Sequence, residues 1–134
     1  MTALHTVPDA DYLRTEDDLA ALFEAELSRA TLEEVRVAHL DSSYRLLGVV
    51  RWSSGSRFGA DMPVRAIVEE AFRLRSRAII LAHNHPSGDP TPSRADHAGT
   101  RHLRDVLSAV EITLLDHVIF AGGNRYSFRA KGLL

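Results

Sequence analysis

The chain of 134 residues contains no cysteine. Disulfides and thiolate metal sites are therefore excluded, and any zinc would have to be held by histidine and carboxylate side chains. A cysteine-free chain suits a reducing compartment, and the cytoplasm is the expected location. Lys131 is the single lysine, and the formal net charge is -2. That balance lacks the basic excess of a nucleic-acid-binding domain. Arg73, Arg75 and Arg77 do cluster, as do Arg94, Arg101 and Arg104. Both groups read as solvated helix faces paired with nearby acids, so DNA is not expected as a partner of this chain alone. No apolar run approaches the ~18 residues of a membrane span. The first residues lack the basic stretch and apolar core of a signal peptide. What is present is ordinary for a globular protein: 45% hydrophobic and 25% charged residues, enough for one domain with a real core.

Hydrophobic periodicity orders the elements. Residues 1–14 read as a loose arm. Thr15 to Asp18 read as a capping box, followed by Leu19, Leu22, Phe23 and Leu27 at helical spacing. Residues 35–40 and 46–50 read as an antiparallel hairpin around the turn cluster Asp41-Ser42-Ser43-Tyr44. The glycine-containing stretch 53–60 reads as a loop that could flank a groove. Asp61 and Pro63 mark the start of a second helix, ending near Arg75. Ala78 to Ala82 is apolar throughout and reads as a central strand covered on both faces. A third helix over 93–110, a strand over 112–120, a Gly122-Gly123-Asn124 turn and a last strand at 126–128 complete the order. The expected fold class is mixed α/β, a three-layer sandwich with a central mixed sheet flanked by helices. The expected division is an N-terminal arm and helix, 1–31, and a main domain, 32–134.

The chemistry concentrates where the central strand ends: His83-Asn84-His85-Pro86-Ser87-Gly88-Asp89-Pro90-Thr91-Pro92-Ser93-Arg94-Ala95-Asp96. In an extended backbone, residues two apart point the same way, so His83 and His85 can converge on one ion. With Asp96 they would supply the three protein ligands typical of a catalytic zinc, leaving a position for water. Ser93 and Asp96 also fit a helix capping box, and the two readings are compatible. His39 and His117 lie within strands and read as packed histidines. His117 is expected on the same face as Leu115 and Ile119.

His-x-His, seven residues, Ser, two residues, Asp is the signature of the JAMM (JAB1/MPN+) metallopeptidases, and the string HNHPSGDPTPSRAD resembles their RadC branch. The resemblance continues through Leu115-Asp116-His117-Val118-Ile119 and Tyr126-Ser127-Phe128, covering residues 32–134. It implies the JAB/MPN (cytidine-deaminase-like) fold and zinc on His83, His85 and Asp96. It implies hydrolysis of a peptide or isopeptide bond by metal-activated water, with Ser93 donating to the developing oxyanion or holding the zinc water. Its substrates would be peptides or proteins, ubiquitin-like modifiers included. The family's general base is a glutamate at the entrance of the domain's first strand. Alignment of that strand assigns the role to Glu34, with Glu33 as the adjacent alternative.

Two features depart from the branch. RadC proteins carry an N-terminal helix-hairpin-helix-like region, and here one helix precedes Glu33. Their second helix begins Pro-Arg-Glu, where this chain reads Val64-Arg65-Ala66 after Pro63. The competing functional readings are a non-catalytic JAB/MPN interaction module and a DNA-repair-associated protein acting on nucleic acid.

Overall fold

A computed structural model describes residues 2–5, 12–53 and 62–134. Its order is β1 (Thr2–His5), α1 (Glu16–Arg29), β2 (Glu34–Leu40), β3 (Leu46–Ser53), α2 (Val64–Leu74), β4 (Ala78–Asn84), α3 (Arg94–Ala109), β5 (Thr113–Ala121) and β6 (Asn124–Ser127). The strands form one sheet in the order β1-β3-β2-β4-β5-β6. Among the described residues only β4 and β5 run parallel, and α3 is the crossover that joins them.

The pleat sorts alternate residues onto two cores. Ala38, Leu40, Ile80, Ala82, Val118 and Phe120 pack against Leu19, Phe23 and Leu27 of α1. Val35, Val37, Ile79, Leu81 and Leu114 pack against Ile67 and Ala71 of α2 and Leu103 and Leu107 of α3. The result is the expected α/β three-layer sandwich. All seven residues of β4 are buried, because both of its faces are covered. Among the described residues no helix is long and apolar enough to cross a membrane.

Two expectations need correction. The segment 1–14 is not wholly a loose arm: β1 pairs antiparallel with β3, Thr2 opposite Trp52 and His5 opposite Val49, and satisfies an edge that would otherwise be open. His117 does not share a face with Leu115. The β4–β5 register shifts between Ile79 and Ile80, so Leu114 pairs with Ile79 but Asp116 with Ile80. This bulge at Leu115 reverses the alternation beyond it. Most of the 53–60 loop and Asp61 lie outside the described residues.

A candidate metal centre at the end of β4

His83 ends the face of β4 that carries Ile79 and Leu81, and it lies opposite Val35 of β2. It is buried, with 1% of its surface exposed. His85 follows where the strand stops, its backbone N–H donating to the Phe120 carbonyl at 3.0 Å. The two rings meet edge to face at 4.9 Å between centroids. The loop then leads into α3, which opens with a complete capping box. Ser93 Oγ accepts from the Asp96 N–H at 3.0 Å, and Asp96 Oδ2 accepts from the Ser93 N–H at 2.8 Å. The cap turns the Asp96 carboxylate towards the imidazoles. Its Oδ2 lies 3.2 Å from His85 Nε2 and its Oδ1 lies 3.9 Å from His83 Nδ1.

The fourth polar group is Glu33, whose Oε1 lies 3.6 Å from His83 Nε2. Glu34 is elsewhere. Its carboxylate faces Arg36 at 3.8 Å and Arg51 at 3.7 Å, on the opposite side of the sheet. The expectation that Glu34 enters the site is therefore corrected to Glu33. The cause is register: Val35 pairs with His83, so odd-numbered residues of this segment share the His83 face and a shift of one reverses it. Asn84 holds the segment in that register. Its Oδ1 accepts from the Glu34 N–H at 2.6 Å, and its Nδ2 donates to the Leu32 carbonyl at 3.0 Å. Asp89 acts through its backbone as well as its side chain. Its carboxylate accepts from the Thr91 N–H, and its carbonyl meets His85 Nδ1 at 2.9 Å.

That last contact constrains the chemistry. A carbonyl only accepts, so His85 Nδ1 must carry the proton. His85 Nε2 then faces the Asp96 carboxylate with either a second proton or a lone pair. A proton or a metal ion must bridge the two groups. In the metal-free chain the hydrogen bond to Asp96 raises the His85 pKa above its ordinary value, against the opposing effect of burial. For Asp96, burial would raise the carboxyl, but hydrogen bonds from His85 and from the Ser93 N–H outweigh it and hold the group well below the usual carboxylate range.

One ligand atom from each of Glu33, His83 and His85 lies within 4.8 Å of the others. Glu33 Oε2 is buried and has no hydrogen-bond partner among the described residues. Two imidazoles and two carboxylates thus converge, and among the described residues no arginine or lysine pairs with Glu33 or Asp96. This donor set fits a divalent cation of the zinc type. It opens onto a pocket of about 210 Å³ lined by Glu33, His85, Pro86, Ser87, Ser93 and Asp96. A cavity of about 390 Å³ lies over Ile80 and Asp116, and none of the metal-site donors lines it.

Of the residues expected at the site, His83, His85, Ser93 and Asp96 are brought together. The sequence reading did not single out Thr100. Its hydroxyl donates to the Asp96 carbonyl at 2.6 Å and meets His117 Nδ1 at 2.8 Å. Thr100 lies four residues after Asp96, one helical turn on, and that spacing was the available signal. His117 is fully buried, and desolvation pushes its pKa down to about 3. His97 packs on Phe128, ring centroids 5.3 Å apart, and takes no part in the donor set.

Comparison with known proteins places the chain in a family. The model of the RadC-like JAB domain matches residues 13–133. A UPF0758 protein of Desulfitobacterium hafniense is 42% identical over 123 residues, which cover 91% of this chain and 54% of the relative. One from Thioalkalivibrio sulfidiphilus is 40% identical over 124 residues, 92% of this chain and 55% of the relative. One from Coxiella burnetii is 38% identical over 117 residues, 87% of this chain and 52% of the relative. The chain spans about half the length of these curated relatives. Because the match runs through both cores and the whole strand–loop–helix junction, the chain belongs to the RadC-like JAB domain family.

Proposed function

We propose that this protein is a zinc-dependent hydrolase that cleaves an amide bond in a peptide or protein, isopeptide links to ubiquitin-like modifiers included. The observation that carries the reading is the convergence of Glu33, His83, His85 and Asp96 at one strand-to-helix junction without a balancing arginine or lysine among the described residues. His83, His85 and Asp96 would hold the ion. When bound, zinc supplies Lewis acidity to water and to the scissile carbonyl.

The chain's own groups supply the rest. Glu33 takes the proton of the attacking water and delivers it to the leaving amine as the C–N bond breaks. Asn84 fixes the strand entrance that carries Glu33. Ser93 Oγ accepts from the Asp96 N–H and so retains its own hydrogen for the substrate oxygen as that atom gains charge. The Asp89 carbonyl fixes the His85 tautomer and aims Nε2 at the site.

The test is hydrolysis of fluorogenic peptides and of an isopeptide-linked pair by the zinc-loaded protein. Native protein should turn over at least one class. Glu33→Gln should lose about 10²- to 10⁴-fold in rate, the usual worth of a positioned acid-base group, while keeping its zinc. Absence of turnover on every amide substrate would contradict the hydrolase and favour an interaction module on the same scaffold.

A further inference from the structure

We infer that Thr100 and His117 form a buried prop behind the metal centre, with His117 a positioning residue for His83 rather than a ligand. The inference rests on the metal reading above. Thr100 has one hydroxyl hydrogen, and the 2.6 Å contact to the Asp96 carbonyl uses it, since a carbonyl cannot donate. The 2.8 Å contact to His117 must then be donated by His117 Nδ1. This assigns His117 the Nδ1–H tautomer and leaves Nε2 as a bare acceptor. That atom is buried and has no hydrogen-bond partner among the described residues.

The His117 ring is held flat between two neighbours. It stacks on Phe128 at 4.7 Å with planes 3° apart, and on His83 at 5.5 Å with planes 29° apart. β5 carries His117 on the same face as His83, because Leu81 pairs with His117 and His83 with Ile119. A single hydroxyl therefore ties the backbone of Asp96 to the ring that backs His83. Two of the proposed ligands, one on a strand and one on a helix, are set relative to each other by this bridge.

Thr100→Val keeps the volume and removes both hydrogen bonds. His117→Phe keeps the stack and removes the donor. Each variant should still bind one zinc, with affinity lowered about 10- to 100-fold, the usual effect of losing a group that orients a ligand. The visible bands of the cobalt-loaded protein should shift in both. In metal-free native protein, long-range proton–nitrogen spectra should show the Nδ1–H tautomer at His117. Affinity and cobalt bands unchanged in both variants would overturn the inference. So would an Nε2–H tautomer, which needs no variant to fold. Complete loss of zinc in His117→Phe, with Thr100→Val like native, would make His117 a ligand and overturn it too. A native protein that takes up no zinc sinks the metal reading itself, a result distinct from the wrong tautomer or an unmoved affinity.

Discussion

Glu33 and Glu34 are neighbours in the chain but face opposite sides of the sheet. Glu33 meets His83, while Glu34 meets Arg36 and Arg51. Of the two, Glu33 is the one beside His83, and the proposed proton transfer falls to it. Glu34→Gln is therefore expected to leave turnover within a few-fold of native and to cost about 1–3 kcal/mol, because its carboxylate and the Arg36 guanidinium it faces are largely buried. Steady-state kinetics beside a denaturation curve checks both; loss of turnover in Glu34→Gln with Glu33→Gln active would reverse the assignment. At this scale the histidines, Ser93 and Asp96 could be read from spacing, because their geometry follows from one strand end and one helix turn. The glutamate could not. Its face depends on a cross-strand register that two adjacent acids leave ambiguous by one residue. The pairing of Thr100 with His117 escaped for a related reason: it spans α3 and β5.

The element that makes the site is the junction of β4, its loop and α3. Ser93 caps α3 there and, in the proposed mechanism, also donates to the substrate oxygen; substitutions separate the two. Ser93→Ala should cost about 1 kcal/mol of stability through the lost cap and should also slow hydrolysis. Ser93→Asp keeps a capping oxygen but puts a negative charge where the substrate oxygen becomes negative. It should melt near native and be inactive; a Ser93→Asp variant with native turnover would remove Ser93 from the chemistry. Asn84 is the second joint. Asn84→Ala leaves the Glu34 N–H and the Leu32 carbonyl without the partners they have here. A penalty of about 1–3 kcal/mol is expected, seen as a melting point lower by several degrees. Helices and the central strand were readable because their apolar patterns are long and periodic. The bulge at Leu115 and the pairing of Thr2–His5 were not, since a bulge and an edge partner are tertiary choices that a local pattern does not encode.

Across the whole molecule, the sheet places a polar site at one end of β4 and a buried histidine towards the other. His39 is fully buried on β2 opposite Ile79, with Nδ1 2.8 Å from Ser76 Oγ. Desolvation pushes its pKa down from 6.5 to about 4. The folded chain keeps His39 neutral while the unfolded chain protonates it near 6.5. Its contribution is thus fully present above pH 6.5 and is lost as the pH falls from there through about 4, up to about 3 kcal/mol in all. Denaturant titrations between pH 7 and 4 should show this slope in native protein and a shallower one in His39→Leu; equal slopes would contradict it. The curated relatives are about twice as long as the region they share with this chain. The metal centre is local to the β4–α3 junction and can be tested on this chain directly. Metal content by mass spectrometry should find about one zinc per native chain, and none retained in His85→Ala or Asp96→Ala. Native protein that stays metal-free after incubation with zinc, or variants that keep a full equivalent, would contradict the account.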